Sequence, residues 1–368
     1  MKYWRGYLIA AITAACAWGL SEFAKAHTVL VDMVYPYVTR MIQTFLADWS
    51  AGVDFCVWQV VLMALGVGLL VSIVLMIIFK WNPIQWFGWV LTAVSVIFLL
   101  HTGIYGLNQY AGPLADDIRL QDTDYKYTVT ELEEAAIFYR DKANALAEQI
   151  SRDGEGNAQL GTFRDLAVKA ADGFKALTYG DFNAVFAGST VPVKELTGAS
   201  KGTMGKTVAL TGEAAVNPNI PAVCLPYAMC REMARRMCIA IDRDAELAAF
   251  LTCAANPAAE FQYSAYFMAY RYCLNGLKTI ESSIGQSAVQ RAEAGANARL
   301  QHDLAAYDDY FGEEKVDETD GEVCDLLVIW HIQKYVLPSL VEDEETRFDP
   351  TDENAVDLSG IVNAKTGE

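Results

Sequence analysis

The feature that most limits how this chain can fold is an uncharged stretch of 25 residues, "FCVWQVVLMALGVGLLVSIVLMIIF", at positions 55–79. Gln59 is its only strongly polar side chain and lies near one end. A run of this length and composition can cross the hydrocarbon of a bilayer as a helix. A second apolar run follows at residues 84–101, separated from the first by only "KWNP". The two runs therefore predict a transmembrane hairpin.

The N-terminal segment at residues 4–20 admits two interpretations. Lys2 and Arg5 precede a further apolar run, as in a short membrane anchor. The same pattern is typical of a secretory signal peptide, because Ala24-Lys25-Ala26 resembles a small-residue cleavage site. We favour the uncleaved anchor. The predicted membrane anchor then covers residues 1–103 with two or three spans, at about 4–20, 55–79 and 84–101.

Positive charges predict how this anchor is oriented. Lys2, Arg5 and Lys80 flank the apolar runs, and basic residues next to membrane spans are enriched on the cytoplasmic side. The rule places the loop at 21–54 and everything after residue 101 outside the cytoplasm. We therefore expect a multi-pass protein of the cell membrane, with the lipid bilayer as a partner and the C-terminal domain outside the cytoplasm.

Acidic residues dominate the part of the chain outside the membrane. The whole sequence has 46 acidic and 28 basic residues, a net charge of −18. A negatively charged surface repels the phosphates of nucleic acids, so we expect no nucleic-acid partner. Basic partners, or solubility alone, remain as reasons for the charge.

Residues 104–340 have the pattern of a helix-rich α+β domain. Helical periodicity begins in "TVTELEEAAIFYRDKANALAEQI", where Thr130 and Glu133 have the spacing of a capping box. Between residues 178 and 221, "STVPVKEL" and "KTVALTGEAAVNP" predict short strands. From residue 222 to about 310 nearly the whole chain predicts helix. Residues 341–368 form an acidic tail that we expect to be disordered.

One predicted helix carries a motif close to that of a zinc peptidase. Residues 230–246 read "CREMARRMCIAIDRDAE". Zinc peptidases of the zincin class have H-E-x-x-H, because histidines four residues apart share one helix face and one tetrahedral ion. Here Arg231 and Arg235 stand at the histidine positions around Glu232. A guanidinium group does not deprotonate, so arginine repels Zn²⁺ instead of binding it.

The charged residues around this motif also have a purely structural interpretation. At about 100° per residue, Arg231, Arg235, Asp242 and Glu246 fall within about 60° of arc on a helix. Such a set is typical of a charged stripe or a partly buried ion-pair network, which the spacing alone favours over a metal site. A straight helix would keep Arg235 and Asp242 about 10.5 Å apart along its axis, so one shared site requires a bend between them.

Three segments in this order resemble a family of bacterial membrane-anchored proteins of unknown function that has zincin-like, gluzincin-type relatives. They are "GLNQYAGPL" at 106–114, "TGEAAVNPNIP" at 211–221 and "REMAR…DRDAE". The resemblance extends from residue 102 to about 363 and implies a zincin-like external domain. It implies that Arg231 and Arg235 occupy metal-ligand positions, Glu232 the general-base position and Asp242 the third-ligand position.

The resemblance further implies roles for residues on both sides of these positions. Glu246 would support the ligands from the end of the Asp242-x-x-Ala-Glu246 element, and Cys238 stands where glycine is common. In zincins the strand before the metal helix binds the substrate backbone. This layout puts four residues in a substrate groove: Thr211, Gly212, Glu213 and Asn217. Zinc is the cofactor of an intact site, and with both histidines replaced we expect no cofactor.

Two functions are compatible with this sequence. The first is a degenerate or inactive metallopeptidase, anchored in the membrane, that binds envelope peptides or proteins. The alternative is an active membrane-bound zinc metallopeptidase that uses Glu232 as general base with non-standard ligands. The paired arginines favour the first, because they can hold a carboxylate of a ligand or neutralise Glu232 and Asp242.

Overall fold

A computed structural model describes residues 4–120, 123–178, 185–312 and 318–338. The four N-terminal helices are α1 (Arg5–Ala26), α2 (Thr28–Ser50), α3 (Val57–Ile78) and α4 (Pro83–Ile104). The later helices are α5 (Leu114–Asp117), α6 (Val129–Ala147), α7 (Phe163–Ala176), α8 (Leu225–Arg236), α9 (Asp242–Ala255), α10 (Ala259–Lys278), α11 (Ser283–Ala294), α12 (Ala298–Phe311) and α13 (Glu318–His331). The strands are β1 (Ser151–Arg152), β2 (Ala158–Gln159), β3 (Lys194–Glu195), β4 (Gly205–Val208) and β5 (Glu213–Val216). The prediction of a helix-rich fold with small sheets is thus confirmed, whereas the predicted tail at 341–368 lies outside the described residues.

Three helices in the described part of the chain, α1, α3 and α4, are long and apolar enough to cross a membrane. Each has 22 residues. No residue of α3 is buried within the protein, as expected of a helix whose surface mostly contacts lipid. The first span was predicted to end at residue 20, but α1 continues to Ala26. These helices confirm an apolar N-terminal region suited to membrane association.

Helices α1 and α4 pack side by side and run in the same direction. Their closest approach is at two glycines, where a Cβ atom on Gly6 would lie 2.5 Å from the carbonyl carbon of Gly88. The Thr92 hydroxyl donates to the Gly6 carbonyl at 2.8 Å. Small residues and hydroxyl groups of this kind join helices in a membrane. Because the helices are parallel, Arg5 and Lys80 lie at one end of the pair and the ends of α1 and α4 at the other.

Helix α2 occupies most of the segment at residues 21–54, which was predicted only to connect the first two spans. It has 23 residues, includes Pro36, and follows α1 after a break at His27. One of its faces is held by the domain: the Arg40 guanidinium donates to the Met237 carbonyl at 3.0 Å, and the Gln43 amide donates to the Ala209 carbonyl at 3.0 Å. These tertiary contacts stabilise a helix that contains a proline and lacks an N-terminal side-chain cap.

The core of the domain surrounds α10, which packs against α6, α9 and α13. Its fully buried side chains include Tyr263, Phe267 and Tyr270. Burying an aromatic or large aliphatic side chain contributes about 1.5–3 kcal/mol, so this helix is a main source of the stability of the domain. The Tyr-rich segment of the sequence therefore serves mainly to fill the core.

A three-stranded sheet lies beside α8 and has the order β3-β5-β4. Strands β4 and β5 form an antiparallel hairpin in which Gly205 pairs with Val216 and Val208 with Glu213. Strand β3 adds to the other edge of β5 in parallel, with Lys194 opposite Ala215. The predicted ribbon before the central helix is present, although each of its strands has at most four residues.

Candidate functional site

The motif helix α8 ends in a sharp turn instead of continuing into the "DRDAE" segment. Helix α8 stops at Arg236, and Cys238 has a positive φ of 71°. The Cys238 N–H donates to the Arg235 carbonyl at 3.0 Å, and the Ile239 N–H donates to the Ala234 carbonyl at 3.2 Å. These two bonds form a Schellman motif, in which glycine is the usual residue at the left-handed position. The turn supplies the bend that a shared site requires and brings the start of α9 back towards α8.

Five charged side chains meet at this turn, and we call them the charged cluster: Arg231, Glu232, Arg235, Asp242 and Glu246. Arg231 lies between two carboxylates. Its Nε is 3.4 Å from Oε1 of Glu232, and its terminal nitrogen is 3.2 Å from Oε1 of Glu246. Arg235 pairs with Asp242 at 2.5 Å and lies 4.0 Å from Oε1 of Glu232. The cluster is therefore a chain of ion pairs that joins α8 to α9.

Glu232 lies at the centre of the charged cluster and is completely buried, with a side-chain exposure of 0%. The Thr207 hydroxyl of β4 is 2.8 Å from Oε2 of Glu232 and within hydrogen-bond distance of its backbone carbonyl. A Cβ atom at Gly205 would lie 2.6 Å from Cγ of Glu232. Strand β4 therefore covers this carboxylate, and only a residue without a side chain fits at position 205.

Exposure falls steeply from one end of the charged cluster to the other. The Asp242 side chain is 65% exposed, whereas those of Arg231 and Glu246 are 15% and 10% exposed. Burial lowers the pKa of the Arg231 guanidinium, but the carboxylates of Glu246 and Glu232 outweigh it and leave the pKa above its usual value. Arg231 is therefore held as a permanent cation between two carboxylates.

The charged cluster leaves several buried polar atoms without a hydrogen bond in the described structure. They are Oε1 of Glu232, Oε2 of Glu246 and the Nε atoms of Arg231 and Arg235. Nε of Arg231 and Oε1 of Glu232 face each other at 3.4 Å, so their contact is an ion pair without a hydrogen bond. These atoms could accept or donate to a ligand that enters the cluster.

A small cavity of about 280 Å³ opens beside Arg231, and we call it the polar pocket. Arg231 and Glu246 form one wall, and Met204 and Gly205 form another. Arg271 lines the remaining side, with its guanidinium carbon 4.1 Å from the ring centre of Tyr307. Tyr272 and Asp320 complete the polar lining. Two cations and two carboxylates thus face one cavity.

Sequence reasoning missed Arg271 and its neighbours. They lie on α10 and later segments, far along the chain from the motif, and the run "FQYSAYFMAYRYC" reads as a core helix. One signal was available. An arginine within an apolar aromatic run is seldom buried without a partner, so Arg271 was a candidate for a structured polar site.

The predicted groove residues do not gather at the charged cluster. Gly212 has a φ of 64° and abuts α2, where an added Cβ atom would lie 2.6 Å from the Ala47 nitrogen. Thr211 hydrogen-bonds within the same turn. Glu213 is buried and accepts hydrogen bonds from the Val57 and Trp58 N–H groups at the start of α3. Gly212 and Glu213 therefore face the N-terminal helices α2 and α3, and Thr211 lies in the turn beside them.

Asn217, at the other end of the hairpin, is the exception. Its N–H donates to the Met204 carbonyl at 2.8 Å, and its side chain donates to the Thr203 carbonyl and contacts the Tyr310 hydroxyl, each at 3.0 Å. Met204 and Thr203 line the polar pocket. Asn217 therefore fixes a wall of this pocket without entering it.

The residues at the zincin ligand positions do not fit a zinc ion. Two of them are guanidinium cations, and Glu232 and Asp242 are already paired with those cations. Among the described residues, no three His, Cys, Asp or Glu side chains are grouped so that they could hold a metal ion. The chemistry of this donor set is that of ion pairing and carboxylate binding.

Comparisons with known proteins bear on the chain as a whole. No curated protein matches it, and no solved structure does. A match does exist to a family described as "Protein of unknown function (DUF3810)", and it spans residues 31–327, from within α2 to α13. Because this match includes the charged cluster, the polar pocket and most of the chain, the protein belongs to that family.

Proposed function

We propose that this protein is a membrane-anchored, zincin-like module without peptidase activity, which binds peptides or envelope proteins outside the cytoplasm. One observation carries the proposal. Both arginines are paired with carboxylates at the positions where a zincin holds its metal, Arg231 with Glu232 and Glu246, and Arg235 with Asp242. Each of the three carboxylates in the charged cluster is already paired with a guanidinium, and the five side chains together keep a formal charge of only −1.

The burial of Glu232 supports a role other than catalysis. A general base needs hydrogen-bond reach to the water or substrate that it deprotonates. Glu232 has no exposed surface, and Thr207 of β4 occupies one of its oxygens. The alternative, an active peptidase that uses Glu232, would require β4 to move away and a cation to enter between two guanidinium groups.

The polar pocket supports binding of a peptide carboxylate. Arginine binds carboxylates through two parallel N–H···O bonds, and Arg231 and Arg271 both face the cavity. A volume of about 280 Å³ is too small for a folded partner but suits the end of a chain or a single acidic side chain. Glu246 and Asp320 on the same cavity would attract an amino group or a basic side chain next to that carboxylate.

Metal content tests whether the charged cluster replaces a zinc site. We expect the full chain, purified in detergent, to contain no stoichiometric zinc by plasma mass spectrometry. The Arg231→His, Arg235→His double variant should take up zinc, since it supplies two imidazoles four residues apart near Glu232 and Asp242. Stoichiometric zinc in the unmodified protein would overturn the proposal. A folded double variant that takes up no metal would remove the zincin-like part of it.

Peptide binding tests the second half of the proposal. Calorimetry on the full chain in detergent would compare acetyl-Ala-Ala-Ala with a free carboxylate and the same peptide as its amide. We expect the carboxylate to bind tighter by about tenfold, or 1.4 kcal/mol. The preference should vanish in Arg231→Met combined with Glu232→Gln and Glu246→Gln, which avoids leaving either carboxylate partner of Arg231 buried without its cation. It should persist in Arg299→Met, a control at an arginine that pairs with Glu148 on another surface. Equal binding of both peptides would contradict a carboxylate site.

A further inference from the structure

Helix α2 exposes an apolar surface, interrupted near its end by Asp48, that the other N-terminal helices leave uncovered. Nine of its large apolar side chains are between 49% and 74% exposed. We call them the apolar face of α2: Val29, Leu30, Met33, Val34, Tyr37, Val38, Met41, Phe45 and Trp49. At 100° per residue, all but Val29 lie within about 80° of the direction of Met41, so they form one side of the helix.

The opposite side of α2 is fixed to the rest of the protein along its whole length. Asp32 accepts a hydrogen bond from the Gly112 N–H at 2.8 Å, and Arg40 donates to the Met237 carbonyl at 3.0 Å. Near the end of the helix, the Ser50 carbonyl accepts from the Lys194 ammonium group at 2.8 Å. Of the charged residues of α2, all of which are described, only Asp48 is exposed, and at 100° per residue it lies about 20° from the direction of Met41, near the C-terminal end of the apolar face. The polar side of the helix is thus used by the domain, and the apolar face points away from it.

The positions of the two ends of α2 limit which partner can cover the apolar face. Helix α1 ends at Ala26, two residues before α2, and α3 begins at Val57, seven residues after it. If α1 crosses the membrane in one direction and α3 crosses back, both ends of α2 are held at the same membrane surface. A helix of 23 residues extends about 34 Å, so α2 must run along that surface. It cannot cross, because the domain residues bonded to its polar side would then enter the hydrocarbon.

We infer that α2 lies in the plane of the membrane as an interfacial helix, with its apolar face in the boundary between headgroups and acyl chains. Tyr37 and Trp49 belong to that face and are residue types enriched at this depth. Apolar helices of this kind insert by about 5–10 Å. The occupant of the apolar face is thus the lipid bilayer and not a second protein. This inference goes beyond the proposed function, and binding at the polar pocket can fail or succeed independently of it.

The hydrogen bonds between α2 and the domain also fix where the charged cluster lies relative to α2. Arg40 holds the turn that follows α8, and Gln43 holds the end of β4, the strand that covers Glu232. The turn after α8, where the charged cluster lies, and the strand β4 that covers it are therefore each bonded to one side chain of α2. A ligand of this protein would meet the cluster next to the membrane surface.

Spin labelling of the full chain in vesicles tests the inference. Labels would be placed by Met41→Cys and Phe45→Cys in a Cys16→Ala background, since Cys16 is the one native cysteine exposed in the described structure. Controls are Ile284→Cys, which is 65% exposed on α11, and Val168→Cys, which is 56% exposed beside the segment at 51–55 that follows α2 but off the apolar face. Vesicles of phosphatidylethanolamine and phosphatidylglycerol would be compared with phosphatidylcholine vesicles.

The readout is collision of each label with oxygen, which partitions into lipid, and with a polar nickel chelate, which does not. We expect the oxygen-to-nickel ratio at positions 41 and 45 to exceed that at 168 and 284 several-fold. The ratio should be the same in both lipids, because the apolar face has no basic residues to attract anionic headgroups. Ratios equal to those of the controls would place the face in water and overturn the inference. Low collision with both reagents, together with spin–spin broadening, would mean that a second copy covers the face, which would also overturn it.

Discussion

At the scale of single residues, the charged cluster depends on two guanidinium groups, which form ion pairs with carboxylates on the next helix. Arg231 reaches from α8 to Glu246 on α9, and Arg235 reaches over the turn to Asp242. Sequence periodicity predicted that these residues share a face, and the structure brings them together. The residues meet across a turn and not along one straight helix. The sequence did not reveal the end of α8, because a cysteine and not a glycine stands at the left-handed position.

Cys238 carries a testable conformational cost. Non-glycine residues in the left-handed region are disfavoured by about 1–2 kcal/mol. We expect Cys238→Gly to be more stable than Cys238→Ala by about 1 kcal/mol, the reverse of the usual order in helices. Both variants lose the buried thiol, so their difference isolates the backbone. Chemical unfolding of the purified protein in detergent measures it, and an alanine variant as stable as the glycine variant would show that position 238 is unstrained.

Capping at the start of α6 shows a second limit of residue patterns. Both Thr128 and Thr130 begin a T-x-x-E sequence, and the capping box was predicted at Thr130 with Glu133. The capping box is formed by Thr128 with Glu131, and α6 begins at Val129. Glu133 instead accepts hydrogen bonds from Arg291 of α11, at 2.5 and 2.7 Å. The two T-x-x-E sequences were equal as local signals. They differ in that Glu133 pairs with Arg291, a residue far away in the sequence, and so does not cap α6.

At the scale of elements, the spanning helices were predictable and α2 was not. Hydropathy suffices for α3, because none of its residues is buried within the protein and its composition is almost wholly apolar. Helix α2 has an apolar side for the membrane and a polar side for the domain, so its mean hydropathy is too low to signal a span. The short strands β3, β4 and β5 were located only as a ribbon, since strands of two to four residues carry little periodicity.

A buried ion pair joins these elements. Lys194 of β3 lies 2.7 Å from Glu213 of β5 and also donates to the Phe55 carbonyl. The Glu213 carboxylate in turn accepts hydrogen bonds from the N–H groups of Val57 and Trp58 and so caps the start of α3. The pair therefore links the end of α2, the start of α3 and the sheet beside the charged cluster.

Removing one partner of this pair should be much worse than removing both. We expect Glu213→Gln to destabilise the protein by about 3 kcal/mol, because it leaves the Lys194 cation buried without its counter-charge. Lys194→Met should have a similar effect, and the double variant should lose much less than the sum of the two. The measurement is the free energy of unfolding in detergent for all four proteins of the cycle. Additive losses would mean that the two charges do not interact.

At the scale of the whole molecule, the parallel packing of α1 and α4 adds a geometric constraint to the charge pattern of the sequence. Two helices that run in the same direction through a membrane must both start on the same side, so Arg5 and Lys80 share one side. Helix α4 ends at Ile104, on the side where the domain begins. An uncleaved α1 is consistent with this packing, since its loss would expose the Gly88 face of α4.

This arrangement predicts the sidedness of the protein in cells. We expect a membrane-impermeant maleimide to label Ile284→Cys in intact bacterial cells and Lys80→Cys only after permeabilisation, both in the Cys16→Ala background. The reason is that Lys80 lies in the short turn between α3 and α4, where positive charge is retained on the cytoplasmic side. Ile284 lies on α11 and is 65% exposed, so its labelling reports the side of the domain. Intact mass of the purified chain would show at the same time whether residues 1–26 remain. Labelling of Lys80→Cys in intact cells, with Ile284→Cys protected, would place the domain and its charged cluster in the cytoplasm and would contradict a role at the cell envelope.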